Sequence, residues 1–379
     1  MRLLTMGPRL IQEYRTVKEY AETANLRDTD LIITVAAIYD TLLRPYTGDA
    51  NVLLCDKYGN EEPTDLMLEA IIADASQLTF DRIIAIGGGA VMDMAKVVSV
   101  SRGRPLDHII EDPSSCERHV GLVLVPTTCG TGSEVTEIAA LNRTRLSTKA
   151  GIDSPAMFAD EAVLIPELLY GLPDHVFATS SLDALVHAVE STLSPNATPY
   201  TKLFGYRAIS IIVKGYQAIA AAGDFGTQAR RSARNELMRD FLIASNYAGL
   251  SFETGGCAAV HALSYQLGGK YHVPHGEANY AMFTGVLKCY MSIRSDGEIA
   301  AMNAFLSELL DCETDVVYDR LERLIDQILP KKRLREYGVT RDDLPQFADN
   351  VINTQQRLMR NCFVPLDRDH VLSIFETLY

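Results

Sequence analysis

The chain has 379 residues, 47% hydrophobic and 22% charged, a composition that folds and leaves room for two domains of roughly 100–200 residues each. It excludes a disordered segment and a disulfide-stapled mini-protein. The 35 Lys and Arg against 49 Asp and Glu leave a formal charge of −14, which repels phosphate backbones and anionic lipid heads, so neither nucleic acid nor membrane is expected as a partner.

The opening MRLLTMGPRLIQEY carries an apolar stretch broken by Gly7 and Pro8, too short for a secretory signal, and reads as mature sequence. No later apolar run approaches the roughly 18–20 residues of a membrane helix. The seven cysteines are odd in number, scattered and without a C-x-x-C pair, which suits a reducing compartment. A cytoplasmic protein is expected.

Four unbroken apolar runs follow: LIITVA (31–36), NVLLC (51–55), RIIAIGGG (82–89) and VGLVLVPTT (120–128). Runs of this length suit strands buried on both faces, as in a parallel sheet covered by helices, and predict a doubly wound α/β domain. After Pro173 the texture changes to long segments with 3.6-residue apolar spacing, so the second half is predicted all-helical. Gly171 and Pro173 in LYGLPDHV punctuate the junction, giving an α/β domain over 1–174 and a helical domain over 175–379.

The third run ends in Gly87-Gly88-Gly89, before the predicted helix AVMDMAKVVSV. A strand that turns through glycines into a helix N-terminus offers unpaired N–H groups to an anion and lets a pyrophosphate approach closely. Met92 breaks the G-x-G-x-x-G pattern, so alone the turn could equally be structural. Asp93 reads either as a cofactor residue or as a helix-dipole residue, and Lys96 as a solvated face. The fourth run leads into Thr127-Thr128-Cys129-Gly130-Thr131-Gly132-Ser133-Glu134, a second donor-rich loop expected to precede a helix.

In SSLDALVHAVE, Asp183 and His187 stand i and i+4 apart, which puts a carboxylate and an imidazole on one helical face. His261 and His275, with His272 between them, follow in CAAVHALSYQLGGKYHVPHGEANY. One carboxylate and three imidazoles make a plausible Zn²⁺ or Fe²⁺ shell, the other reading being histidines satisfied in a helical core.

At these residues the chain resembles the iron-containing (group III) alcohol dehydrogenases, over nearly its whole length. IAIGGGAVMDMAK resembles that family's nucleotide turn, with Ala90 in place of the usual Ser, and PTTCGTGSE its second loop, with Cys129 where Ala is common. The family's ligand set falls on Asp183, His187, His261 and His275. The strings TTCGTGSEVT, SPNATPYT, SYQLGGKYHVPHGEANY and LREYG resemble the branch that interconverts 4-hydroxybutyrate and succinate semialdehyde with NAD. The resemblance implies a dinucleotide-binding domain followed by a helical metal-binding domain, with the site in the cleft between them. It implies NAD and Fe²⁺ as cofactors, Zn²⁺ being a possible substitute, and a small-molecule substrate; a homodimer is expected. Gly87, Gly88, Gly89, Asp93, Thr127, Thr128, Ser133 and Lys149 are the expected cofactor residues. Tyr265 stands where many members carry a histidine that assists proton transfer. Lys270 and His272 are the candidates for the substrate carboxylate. The stretch Thr34-Val35-Ala36 lacks the Asp that many NAD-preferring members place after the second strand, yet no Arg or Lys occurs before Arg44 to hold a 2′-phosphate, and NAD is favoured. Competing readings are a simple-alcohol or diol dehydrogenase of the same family, a dehydroquinate synthase-like lyase, and a non-catalytic nucleotide-binding protein.

Overall fold

The computed structural model describes residues 3–59, 62–146, 148–224 and 226–379; the side chains of residues 146, 148 and 149 lie outside the described set. The chain forms two compact units: Met6–Leu172, and Pro173–Tyr379 joined by the first residues of the chain. Those first residues belong with the helices because Thr198 Oγ1 donates to Leu3 O at 2.6 Å and the Thr5 N–H donates to Thr254 Oγ1 at 2.9 Å.

The first unit is built on strands β1 (Leu10–Glu13), β2 (Asp30–Thr34), β3 (Asn51–Leu54), β4 (Arg82–Gly87), β5 (Gly121–Pro126) and β8 (Glu161–Leu164). They form one sheet in the order β1-β8-β5-β4-β2-β3, and every pairing in it is parallel. β2 is buried at every position, as the apolar runs predict for a sheet covered on both faces. Helices α1 (Val17–Ala24), α2 (Ala36–Ile38), α3 (Asp65–Ala75), α4 (Gly89–Ser101) and α5 (Leu106–Glu111) connect the strands. One core packs Ile83, Ala85, Leu122 and Leu124 from the sheet against Ile71, Met94, Ala95 and Val98 from the helices.

The chain steps from β2 outward to β3 and then returns past β2 to β4, so the winding reverses between β2 and β4. In open α/β sheets that reversal leaves a crevice at the strands' carboxyl ends, where ligands bind. Gly87–Gly89 sits at that edge. Thr34 Oγ1, at the end of β2, donates to Ile86 O at 2.7 Å and ties the two strand ends together.

The second loop leads into a 3₁₀ turn, Ser133–Val135, and then the antiparallel hairpin β6 (Ile138–Arg143) and β7 (Thr148–Asp153), rather than into the expected helix. The cause lies beneath it. Lys96 is fully buried, and its ammonium donates to Ser133 Oγ at 2.7 Å, Thr136 Oγ1 at 3.0 Å and Ile138 O at 2.8 Å, which draws the segment along α4 into the hairpin. Lys96 is therefore a strut and not a solvated face.

The second unit is helical, as predicted: α6 (Asp174–Leu193), α7 (Pro199–Ala221), α8 (Gln228–Glu236), α9 (Met238–Gly255), α10 (Ala259–Tyr271), α11 (His275–Ile293), α12 (Glu298–Leu310), α13 (Val317–Asp326), α14 (Asp343–Thr354), α15 (Gln356–Met359) and α16 (Arg368–Leu378). α6 is its axis, buried at every residue from Ser181 to Leu193. Its neighbours approach on small residues: a Cβ on Gly205 would meet Thr192 Oγ1 at 2.1 Å, and one on Gly276 would meet Thr179 O at 1.9 Å. Among the described residues no helix is long and apolar enough to cross a membrane.

Candidate functional site

Asp183, His187 and Glu190 are ionisable groups within the buried stretch of α6, where each needs a partner to offset lost hydration. The close seat of Gly276 against Thr179 brings the start of α11, and His275 with it, to the turn of α6 that carries Asp183. α10 supplies His261 from its first turn.

Three imidazoles converge on one oxygen. Asp183 Oδ1 lies 3.6 Å from His275 Nε2, 3.7 Å from His261 Nε2 and 3.9 Å from His187 Nε2. Burial alone would raise the Asp183 carboxyl, but His187, His275 and His261 outweigh it and hold it far below the usual carboxylate range. Donor atoms of Asp183, His261 and His275 lie within 4.8 Å of one another, a spacing that one ion can span with small side-chain adjustments. His187 belongs to a second group of the same tightness, with Cys257 and His261. Burial pushes the Cys257 thiol up, and the charges of His261 and His187 overcome this and bring it down to about 7.

Residues that the sequence reading did not single out complete the centre. Glu190 Oε2 accepts from His261 Nδ1 at 2.6 Å and from the Ala258 N–H at 2.9 Å, and Oε1 accepts from the Val260 N–H at 2.6 Å. With Nδ1 so engaged, His261 would meet an ion at the centre through Nε2. Asn279, one turn after His275, places Nδ2 2.8 Å from Asp183 Oδ1, 3.2 Å from His261 Nε2 and 3.3 Å from His275 Nε2, while its own Oδ1 is buried without a partner among the described residues. A buried carboxylate, three imidazoles, a fixed tautomer and an orphaned amide oxygen fit a divalent ion of the Fe²⁺ or Zn²⁺ kind. The spacings D-x-x-x-H-x-x-E and H-x-x-x-N in the sequence are the signal by which Glu190 and Asn279 could have been found.

Of the other site candidates on these helices, Tyr265 lies with its ring 6.0 Å from that of His275. The exposed Lys270 ammonium is bound by Asp343, whose other oxygen accepts from the Tyr271 hydroxyl at 2.6 Å. His272 caps α10 in the left-handed conformation, φ 53°, and is exposed.

In the α/β unit the two loops lie side by side. The Thr127 N–H donates to Gly87 O at 3.0 Å, a Cβ on Gly89 would meet Thr131 Cγ2 at 2.6 Å, and one on Gly87 would meet Val91 at 2.4 Å. Gly88 differs: its φ of −71° suits any residue, and a Cβ there would reach Thr128 only at 3.5 Å, an ordinary contact. Packing therefore demands glycine at 87 and 89 but not at 88. Asp93 accepts from Ser133 Oγ at 2.6 Å and from the Ala140 N–H at 2.9 Å, so Asp93 and Ser133 brace the turn and loop against each other. Burial raises the Asp93 carboxyl against the pull of Lys96 and Ser133. The Lys149 side chain lies outside the described set.

Residues 8–166 match the iron-containing alcohol dehydrogenase family and residues 177–379 match that family's C-terminal part. The chain belongs to the iron-containing alcohol dehydrogenase family. It is 40% identical over 379 residues, all of both chains, to the 4-hydroxybutyrate dehydrogenase of Clostridium kluyveri. Among solved structures its fold resembles a 1,3-propanediol oxidoreductase, with TM-score 0.85 and 22% identity over all of both chains. It also resembles the sulfoacetaldehyde reductase of Bifidobacterium kashiwanohense in complex with NAD⁺, with TM-score 0.83 and 22% identity over all of this chain and 99% of the other.

Proposed function

We propose that the chain is a metal- and NAD-dependent dehydrogenase that interconverts 4-hydroxybutyrate and succinate semialdehyde. The observation that carries the reading is the convergence of three imidazoles on the buried Asp183 carboxylate; full-length similarity to the Clostridium kluyveri enzyme supports the substrate. Asp183, His187, His261 and His275 would hold the ion, and the Gly87–Gly89 turn with Thr127, Thr128 and Lys149 would hold the cofactor. When bound, these groups supply Lewis acidity at the substrate's carbinol or carbonyl oxygen and a nicotinamide that accepts or returns the hydride.

The chain's own part is preorganisation. Glu190 fixes the His261 tautomer, Asn279 orients the Asp183 carboxylate, and burial of α6 keeps bulk water from the donor atoms. Asp93, Lys96 and Ser133 hold the loop against the glycine turn. Tyr265, beside His275, is the proposed hydroxyl for the substrate's proton, and His272 and Lys270 are the proposed cations for its carboxylate. A homodimer in the cytoplasm completes the proposal. Anaerobic purification with metal analysis, followed by NADH absorbance assays on succinate semialdehyde, tests it: turnover with bound iron or zinc is expected, and none with either ion would refute it.

Two substitutions probe the two halves separately. Glu190→Gln presents one acceptor to three converging donors, so metal affinity is expected to fall about 10- to 100-fold, read by competition with a chromophoric chelator. Gly88→Val is expected to fold, because the position has room and an ordinary φ. It should weaken NADH binding by roughly tenfold or more, the equivalent of one charge-assisted hydrogen bond, while ion content stays normal. Calorimetric titration with NADH gives the answer, and unchanged affinity would remove the turn from the cofactor site.

A further inference from the structure

We propose that the helical unit carries a second, sulfur-containing donor set, His187, Cys257 and His261, which shares His187 and His261 with the carboxylate set and takes a thiophilic divalent ion such as Zn²⁺ or Cd²⁺. The proposal deepens the reading of this unit as metal-binding and rests on it. One donor atom from each of the three residues lies within 4.8 Å of the other two. Donors bound to a single tetrahedral ion at about 2.0–2.3 Å stand roughly 3.3–3.6 Å apart, so side-chain adjustments of about an ångström close the set.

The three side chains are held in place. Cys257 lies in the tight connection between α9 and α10, and the peptide group that follows it is anchored through both of its polar atoms: the Cys257 carbonyl accepts from Asn361 Nδ2 at 3.0 Å, and the Ala258 N–H donates to Glu190 Oε2 at 2.9 Å. Gly256, with φ 77°, makes the bend, and a Cβ there would strike Asn361 Nδ2 at 2.5 Å, so glycine is what lets the loop pack this closely against Asn361. His187 is stacked between Phe252, centroids 4.4 Å apart, and His261, centroids 4.7 Å apart. Glu190 orients His261 for either set.

Ligand softness then sorts the ions. A thiolate and two imidazoles select zinc-like ions, whereas the carboxylate in the other set suits Fe²⁺. On binding, the sulfur–metal bond replaces the S–H bond and the thiol proton passes to solvent, with no change of oxidation state. Because both sets use His187 and His261, an ion held by one leaves the other incomplete, and the chain holds one ion at a time.

The test is spectroscopic. Full-length protein stripped with a chelator is loaded anaerobically with one equivalent of Co²⁺, and its near-ultraviolet and visible spectrum is recorded. The unmodified chain is expected to show an intense near-ultraviolet thiolate-to-cobalt band, lost in both Cys257→Ser and Cys257→Ala while weaker visible bands persist. Both variants should also shift the partition between Zn²⁺ and Fe²⁺ toward iron by tenfold or more in direct competition. Should a variant fold poorly, the unmodified chain decides alone: Cd²⁺ must protect Cys257, among the seven cysteines, from alkylation as mapped by mass. Cobalt uptake without the thiolate band, or no protection of Cys257 by Cd²⁺, overturns the sulfur set and leaves the carboxylate set standing; no uptake of either ion overturns both.

Discussion

Alanine at Asp183, His187, His261 or His275 is expected to remove the bound ion and lower turnover by on the order of 10³-fold or more, since polarisation by a divalent ion is worth several kcal/mol and each 1.4 kcal/mol is tenfold. Asp183→Ala should be the most severe. Its Oδ1 is the point on which His187, His261 and His275 converge, so its loss leaves three imidazoles facing one another without their negative partner. Nucleotide binding should survive in all four variants, because the glycine turn and the Asp93–Ser133 brace belong to the α/β unit, which has its own core. Metal analysis, NADH titration and steady-state rates on the same preparations separate these effects. Full metal occupancy and near-normal rate in any two variants would defeat the four-residue set.

Substrate choice gives the second large effect. For a 4-hydroxybutyrate dehydrogenase, kcat/KM on succinate semialdehyde should exceed that on butanal, equal in length but without the carboxylate, by on the order of 100-fold, because a hydrogen bond to a charged group is worth roughly 1.5–3 kcal/mol. Replacing the responsible cation should erase most of that ratio and spare butanal reduction, since the cation touches only the remote end of the substrate. His272→Ala is the first variant to make. Lys270→Ala comes second, because the Lys270 ammonium already has Asp343 as its counter-ion. Equal efficiency on the two aldehydes in the unmodified enzyme would favour a simple-alcohol dehydrogenase.

The parts of the fold legible in the sequence are those where one residue type dominates a run. LIIT and RIIAIG show as strands because a sheet covered on both faces needs apolar side chains at successive positions. β1, LIQE, lies at the sheet edge with three of its four residues exposed, so it yields no such run. Lys96 was unreadable for a different reason: lysine usually faces water, and the hydroxyls of Ser133 and Thr136 and the carbonyl of Ile138, brought over it by the fold, make its burial tolerable. At the site, Asp183 and His187 announced themselves by helical spacing and by residue type. Glu190 and Asn279 did not, because their significance comes from facing His261 from other helices, which linear spacing does not express; Cys257, four residues before His261, did not because a lone cysteine carries no metal-site pattern of its own.

The most direct test of the account is an anaerobic titration of the chelator-stripped chain with Fe²⁺, following NADH oxidation by succinate semialdehyde alongside the iron retained after desalting. The predicted result is a rate near zero without iron that rises in proportion to bound iron and breaks at one ion per chain. Full turnover in the stripped protein, or stoichiometric iron uptake with no turnover of succinate semialdehyde, would contradict it.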